Sequence, residues 1–189
     1  MNRKTVFIGG GILVLVMIVA ASILYFSKER QETKTGINHF EVSSSFKEGE
    51  VIPVKFTCDG KDISPSIAWS GLQQETQSIV LILEDQDAPT GVFIHWILYD
   101  ISPQLTGLAE GIEKSPQILG VGYHGLNSFG RVEYSGPCPP EGAPHRYIFK
   151  LYALDTRLNI DAGANSKKVS SAMQGHILAQ GELTGLYGK

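Results

Sequence analysis

The sequence lacks any cluster of lysine and arginine, and its formal net charge is −3 over 189 residues. A chain with this charge is not attracted to polyanions, so no nucleic-acid partner is predicted. It also lacks the Gly-x-Ser-x-Gly motif of serine hydrolases and the His-Glu-x-x-His motif of zinc proteases. Stretches with helical periodicity are few and the 21 glycines are dispersed. These features favour an all-β or β-rich domain with many loops.

One long uncharged segment, Val6 to Phe26, predicts a membrane-spanning helix. About 20 apolar residues, at a rise of about 1.5 Å each, span the roughly 30 Å hydrocarbon core of a bilayer. The alternative is a cleaved signal peptide, for which Ala20-Ala21-Ser22 is a poor cleavage site. A short N-terminus before Arg3 and Lys4 favours a single-pass protein with an extracytoplasmic domain. The predicted divisions are a tail at 1–5, an anchor at 6–26, a linker at 27–38 and one domain at 39–189.

The chain has two cysteines, Cys58 and Cys138, which both lie in loops rich in Gly, Pro or Asp. If the domain is exported, a disulfide between them would close a long loop. The alternative is two free thiols that pack as small apolar side chains. The sequence alone leaves both alternatives open, because it does not give the distance between the two Cα atoms.

Three apolar segments predict central strands at 77–84, 93–101 and 147–154. Shorter or weaker strands are predicted at 40–45, 51–56 and 67–69. One helix is predicted at 165–180, where apolar residues recur at three- and four-residue spacing, with Gly181 as its stop. Many strands and one late helix predict an all-β sandwich or a β-rich α+β domain.

Polar residues gather where the central strands begin or end. Asp85 ends the first central strand, His95 lies early in the second, and His145 and Tyr147 open the third. The loop 136–147 contains four prolines, so it is stiff and cannot be a helix. If the three strands are neighbours, these side chains can form one pocket with donors for a small phosphate or carboxylate group. Arg146 should point to the opposite face and pair with an Asp of the 85–89 loop.

Other chemistries remain open for the same residues. Asp85 and a histidine could act as acid and base in a hydrolase, although no nucleophile stands out. Asp85, His95 and His145 would suffice chemically as zinc ligands. Each histidine taken singly also fits a structural role within the fold. The Gly-x-Gly-x-x-Gly match at 120–125 is not followed by a helical pattern, so dinucleotide binding is not predicted.

Three separated motifs together resemble the phosphatidylethanolamine-binding protein family, in its prokaryotic, Raf kinase inhibitor-like branch. They are Asp85-Gln86-Asp87-Ala88-Pro89, His95-Trp96, and the segment 136–147 with its prolines and His145-Arg146-Tyr147. The resemblance covers the chain from about residue 40 to its end. It implies a β-sandwich with a large antiparallel central sheet and a small anion pocket at one end. The C-terminal helix predicted from periodicity falls within this domain, and the predicted membrane-spanning helix, which is not a general feature of the family, precedes it. Gln86 departs from the family pattern, which has proline there.

The resemblance also implies a binding function, and it does not imply a metal. Since no nucleophile or metal motif is found, a non-catalytic role without a cofactor is predicted. The implied ligand is a small anion such as phosphate or a phospholipid head group. The ligand-binding positions implied by the match are Asp85, His95, Pro140, His145 and Tyr147. The positions expected to support the pocket are Asp87, Pro89, Phe93 and Arg146. A protein partner such as a protease or kinase is the alternative, and a homodimer is left open.

Overall fold

A computed structural model describes residues 37–189, which form one compact unit from Ile37 to Lys189. Most of its regular structure consists of β-strands, as the sequence predicts. The strands are β1 (Asn38–His39), β2 (Glu41–Ser44), β3 (Ile67–Ser70), β4 (Ser78–Asp85), β5 (Phe93–Ile101), β6 (Gly107–Leu108), β7 (Gln117–Ile118), β8 (Gly122–His124), β9 (His145–Leu154) and β10 (Ile177–Tyr187). One α-helix, α1, spans Ser166–Met173, and a short 3₁₀ turn spans Val54–Phe56.

The strands form two sheets. Seven strands make the larger sheet in the order β1-β10-β9-β4-β5-β8-β7, and β2-β3-β6 make the smaller one. All neighbours in the larger sheet are antiparallel except β1 and β10. The predicted large antiparallel sheet and C-terminal helix are therefore confirmed.

The larger sheet has apolar cores on both of its faces. On one face Leu81 and Leu83 join a core that also includes Trp69 of the smaller sheet. On the other face Val80 packs in a second core with Val169 of α1. Because both faces are covered, β4 is apolar at consecutive positions and not only at alternate ones.

The helix predicted at 165–180 is correct only in its first half. Its N-terminus is capped as expected, since the side chain of Asn165 accepts a hydrogen bond from the Lys168 amide at 2.9 Å. The helix ends at Met173, and Gly175 follows with a φ of +81°. The remaining segment becomes the first part of β10, where it pairs with β9. Local periodicity does not reveal this long-range pairing, which prevails over the helical pattern.

The segment 51–56 is also not a strand. Only Val51 bridges to another residue, Leu186, and the chain then enters the 3₁₀ turn Val54–Phe56. Pro53 precedes this turn. Because proline has no amide hydrogen, the segment does not continue the strand pairing that begins at Val51.

The prediction of a membrane-spanning helix requires correction. No helix within residues 37–189 combines the length and apolar character needed to span a bilayer. The α-helix described there, α1, has eight residues and so a length of about 12 Å. The predicted anchor at 6–26 lies outside the described residues, as do the tail at 1–5 and most of the linker. The fold assignment is therefore corrected to the β-rich domain alone, and the single-pass membrane location is withdrawn.

Candidate functional site

Strand register brings three of the predicted site segments together. Asp85, the last residue of β4, is the cross-strand partner of Phe93 on β5 and of Tyr147 on β9. Side chains two residues apart on a strand share a face, so His95 lies on the face of Phe93 and His145 on the face of Tyr147. The two histidines and Asp85 therefore meet at one end of the large sheet.

A cavity of about 250 Å³ opens at this end of the sheet, and we call it the histidine pocket. Its lining residues are Asp85, Ala88, Pro89, Thr90, Phe93, His95, Phe129, Cys138, Pro139, Pro140 and His145. Prolines from two loops thus form part of the wall, and they offer no amide hydrogen to compete for a ligand.

His145 is oriented by a buried carboxylate. Its Nδ1 lies 2.8 Å from Oδ2 of Asp85, which is 3% exposed. The other oxygen, Oδ1, accepts a hydrogen bond from the Asp87 amide at 2.9 Å. A carboxylate accepts hydrogen bonds, so Nδ1 of His145 carries the proton and Nε2 is left for the pocket.

His95 is oriented by backbone carbonyls. Its Nδ1 lies 3.0 Å from the carbonyl oxygens of both Ser135 and Gly136. Nδ1 must therefore be the donor, which again leaves Nε2 without a proton in the neutral ring. Burial lowers the pKa of His95, although hydrogen bonds to the two carbonyls and the charge of Asp85 oppose that effect.

Tyr147 lies beneath the two histidines and does not line the pocket itself. Its ring centroid is 5.2 Å from that of His95 and 6.4 Å from that of His145. Its hydroxyl is buried and makes no hydrogen bond to any residue in the range 37–189. Burial, together with the nearby charge of Asp85, raises the pKa of Tyr147, so the hydroxyl remains a donor. Direct contact between Tyr147 and a ligand stays a prediction.

Arg146 points away from the histidine pocket and pairs with Asp87. The guanidinium donates at 2.9 Å and 2.7 Å to the two carboxylate oxygens, and the Arg146 amide donates to Oδ2 at 2.9 Å. These three bonds hold the pKa of Asp87 down at about 2. The pair fastens the 85–89 loop to the start of β9, which is the bracing role expected of Arg146.

The proline-rich loop is attached to the segment around residue 58 by covalent and backbone contacts. Cys58 and Cys138 form a disulfide with a Cα–Cα distance of 5.4 Å. The Cys58 amide donates to the Pro137 carbonyl, and the Gly136 amide donates to Oδ1 of Asp62 at 2.6 Å. A Cβ atom on Gly136 would lie 2.1 Å from a backbone oxygen, so only glycine fits there.

Sequence reasoning missed Phe129 and its support, Asn127. Phe129 lines the histidine pocket and lies edge-on to both Phe93 and His95, at 4.8 Å and 5.3 Å between centroids. Asn127 holds this loop, since its Oδ1 accepts from the amides of Phe129 and Arg131. An Asn three residues before a Gly is a turn signal, but nothing local indicates that the turn returns to His95.

Comparison with known proteins identifies the same domain. The sequence profile described as phosphatidylethanolamine-binding protein matches residues 42–188. A UPF0098 protein of Aquifex aeolicus is 51% identical over 147 residues, covering 77% of this chain and 85% of that protein. A UPF0098 protein of Pyrococcus horikoshii is 47% identical over 150 residues, covering 78% and 75%.

Two solved structures have the same fold. A crystal structure of a phosphatidylethanolamine-binding protein homologue from Chlamydia trachomatis superposes with a TM-score of 0.72 at 43% identity. The structure of E. coli YbcL, described as a new member of the mammalian family, gives a TM-score of 0.74 at 30% identity. Both comparisons cover 80% of this chain and 99% of the other chain.

Proposed function

The chain belongs to the phosphatidylethanolamine-binding protein family, in its prokaryotic branch, and from this we propose that it binds a small anion in the histidine pocket without turning it over. The anion is a phosphate group, either free or in a phospholipid head group. The observation that carries the proposal is the shared orientation of His95 and His145, both of which use Nδ1 within the fold.

Both histidines keep Nε2 for a ligand, and the protonation state of this nitrogen determines what they can bind. A neutral ring with a proton on Nδ1 offers a lone pair at Nε2, which repels an anion. A protonated ring offers an N–H and a positive charge, which attract one. We therefore propose that anion binding requires protonation of Nε2.

The charges around the pocket favour this coupling. Asp85 lies against His145 and can stabilise a positive charge on it. Arg146, which is adjacent to His145 in the chain, is committed to Asp87 on the other face of β9. No arginine or lysine is among the described residues that line the pocket, so protonated histidine is the cation that the pocket wall itself can offer.

Isothermal titration of the full-length chain with phosphate tests the proposal. The His145→Ala variant should bind phosphate about 10- to 100-fold more weakly, because it loses a charge-assisted hydrogen bond of about 1.5–3 kcal/mol. Phosphoethanolamine, in a parallel titration, distinguishes a head group from free phosphate through the difference in affinity.

His176→Ala provides a matched control. His176 also pairs through Nδ1 with a carboxylate, that of Asp155 at 2.7 Å, but it precedes β10 at the opposite end of the sheet. This variant should bind phosphate as the parent does. Equal binding by the parent and the His145→Ala variant would refute the proposed site.

Hydrolysis of phosphoesters is the catalytic alternative for the same pocket. Both oxygens of Asp85 already accept hydrogen bonds, from His145 and from the Asp87 amide, so the carboxylate is engaged within the fold. We expect no turnover of p-nitrophenyl phosphate by the parent chain. Turnover that disappears in the Asp85→Asn variant would overturn the non-catalytic assignment.

A second candidate function is the binding and inhibition of a protein such as a protease or kinase. The observation that favours it is exposed apolar surface: Phe129, which lines the histidine pocket, is 43% exposed, and Val92, which precedes the pocket-lining Phe93 in the chain, is 55% exposed. Exposed apolar residues at a pocket rim are typical of interaction surfaces. Inhibition in a protease and kinase panel that is lost in Val92→Ser, a residue outside the pocket lining, with phosphate binding retained, would favour this function over anion binding alone.

A further inference from the structure

We propose a second ligand site at the opposite end of the large sheet, which takes a small zwitterion: an amino acid or short peptide with a free ammonium and a free carboxylate. The site is a cleft of about 570 Å³, which we call the Arg157 cleft. Its lining residues are Thr76, Gln77, Asp100, Ser102, Pro103, Gln104, Gln117, Ile118, Gly120, Val121, Gly122, Tyr123 and Arg157.

The Arg157 cleft is separate from the histidine pocket. Gln77 precedes the first residue of β4, whereas Asp85 ends the strand, so the two sites lie about 26 Å apart at about 3.3 Å per residue. The two cavities share no lining residue. The volume of the cleft lies within the range of about 300–1,000 Å³ that is usual for small-molecule sites.

The negative charge of the cleft comes from Asp100. This residue is 5% exposed, and its backbone has a φ of 52°, which is uncommon outside glycine. Oδ1 accepts a hydrogen bond from the Leu158 amide at 2.7 Å. Among residues 37–189, however, Asp100 forms no ion pair. A buried carboxylate without a cation is costly, so an ammonium group on a ligand would be a favourable partner.

The positive charge comes from Arg157, one residue before Leu158. Arg157 is exposed, and its guanidinium takes part in none of the ion pairs within the described range. A guanidinium binds a carboxylate through two parallel hydrogen bonds. Asp100 and Arg157 thus line one cleft with opposite charges that do not pair with each other, and a zwitterion would pair with both.

The remaining lining groups fit a polar ligand of this size. Three side-chain amides, from Gln77, Gln104 and Gln117, supply both donors and acceptors. Thr76 adds a hydroxyl that is buried without a hydrogen-bond partner in the described part of the chain. These polar groups, together with one negative and one positive side chain, suit a zwitterion better than a polyanion.

One wall of the cleft is the turn between β7 and β8, where the Gly-x-Gly-x-x-Gly match begins. Gly120 has a φ of +75°, as a tight turn requires. At Gly122 a Cβ atom would lie 2.5 Å from the carbonyl oxygen of Tyr99, so the strand approaches β5 closely. Neither glycine extends a side chain into the cleft. This is a structural use of the motif that differs from dinucleotide binding, since a strand and not a helix follows the turn.

The test is a titration of the full-length chain with alanyl-alanine, followed in amide NMR spectra. N-acetylalanine, which keeps only the carboxylate, and alaninamide, which keeps only the ammonium, are the matched ligands. Glucose represents an uncharged polar ligand. We expect alanyl-alanine to shift the amide signals of Gly120 and Gly122, and to bind about tenfold or more tightly than either half-charged ligand, which loses a charge-assisted contact.

Asp100→Asn and Arg157→Gln test the two charges separately. Asparagine tolerates the positive φ and keeps the acceptor for the Leu158 amide, so this variant should fold. Each variant should weaken alanyl-alanine binding about tenfold or more while phosphate affinity stays unchanged. Arg146→Gln, the same change at the other end of the sheet, should not affect alanyl-alanine.

Three results would overturn the proposal. One is the absence of shifts at Gly120 and Gly122 with millimolar alanyl-alanine. Another is equal binding of the half-charged ligands, which would show that the charge pair is not used. The third is preferential binding of glucose, which would assign the cleft to an uncharged ligand. None of these results bears on the histidine pocket, whose phosphate titration is independent.

Discussion

Removing the Cys58–Cys138 disulfide should produce the largest loss of stability of any change considered for this domain. The bond joins residues 80 positions apart. For a closed loop of about 80 residues, the chain-entropy relation gives about 15 cal/mol/K, or about 4.5 kcal/mol at 25 °C. We expect the Cys58→Ser, Cys138→Ser variant to lose about 2–5 kcal/mol of unfolding free energy, since measured losses for native disulfides fall in this range.

Urea unfolding measures this loss directly. With a slope of about 2–3 kcal/mol per molar urea, the midpoint should fall by about 1–2 M. Each single variant should be as unstable as the double variant, because either one opens the same bond. Reducing agent should lower the midpoint of the parent chain and leave the double variant unchanged.

The same variant tests whether the disulfide supports the histidine pocket. Cys138 lines that pocket, so opening the bond should also weaken phosphate binding. A loss of unfolding free energy below about 1 kcal/mol, without any response of the parent to reducing agent, would refute the reasoning. Free thiols titrated in the denatured, unreduced parent chain would contradict the bond itself.

Three further predictions concern single contacts. Arg146→Gln should return the Asp87 pKa from about 2 toward 3.8, measured by NMR titration of the carboxyl group. The accompanying loss of unfolding free energy should stay below about 1 kcal/mol because the pair is partly exposed. The contribution of Asp87 to the unfolding free energy is present above pH about 4 and should fade as the pH falls toward the folded pKa of its carboxyl group. Burial lowers the pKa of His124. The free energy of unfolding, measured in urea, should therefore fall as the pH drops below about 6.5, the pKa of histidine in the unfolded chain. The His124→Gln variant should lose part of this dependence on pH. Gly136→Ala should cost more than about 2 kcal/mol in thermal unfolding, because its Cβ would lie against the Phe56 carbonyl.

The fold was predictable where local patterns and burial agree. The strand at 93–101 has the bounds that the sequence predicts, since its apolar run begins at Phe93 and ends at a Ser-Pro pair. The helix prediction was wrong beyond Met173 because the same apolar residues also fit one face of a strand. Pairing with β9, which is distant in sequence, decides between the two structures.

The candidate site was predictable only in part, and its hydrogen bonds were not predictable. Asp85, His95 and His145 could be grouped because each lies where a central strand begins or ends, and the structure places all three around one cavity. The partners of His95 could not be predicted, since the carbonyls of Ser135 and Gly136 lie about 40 residues away along the chain. Those carbonyls hold the proton of the neutral His95 ring on Nδ1, and the proposed need to protonate Nε2 for anion binding follows from this.

The Arg157 cleft had no signal in the sequence. Asp100 and Arg157 are distant in sequence and belong to no shared motif. In the sheet, β4 separates β5 from β9. Asp100 near the end of β5 and Arg157 in the loop after β9 therefore reach the same end of the sheet, where they line one cleft. Only the sheet order reveals this arrangement.

Nitrogen NMR of the two histidines during a sulfate titration tests the central claim most directly. Sulfate keeps its charge across the pH range in which histidine titrates, so any pH dependence belongs to the protein. The account predicts that sulfate binding protonates Nε2 of His95 and His145 while Nδ1 stays protonated, and that affinity rises as the pH falls. Saturating sulfate that leaves both Nε2 atoms unprotonated, or an affinity that does not change with pH, would contradict it.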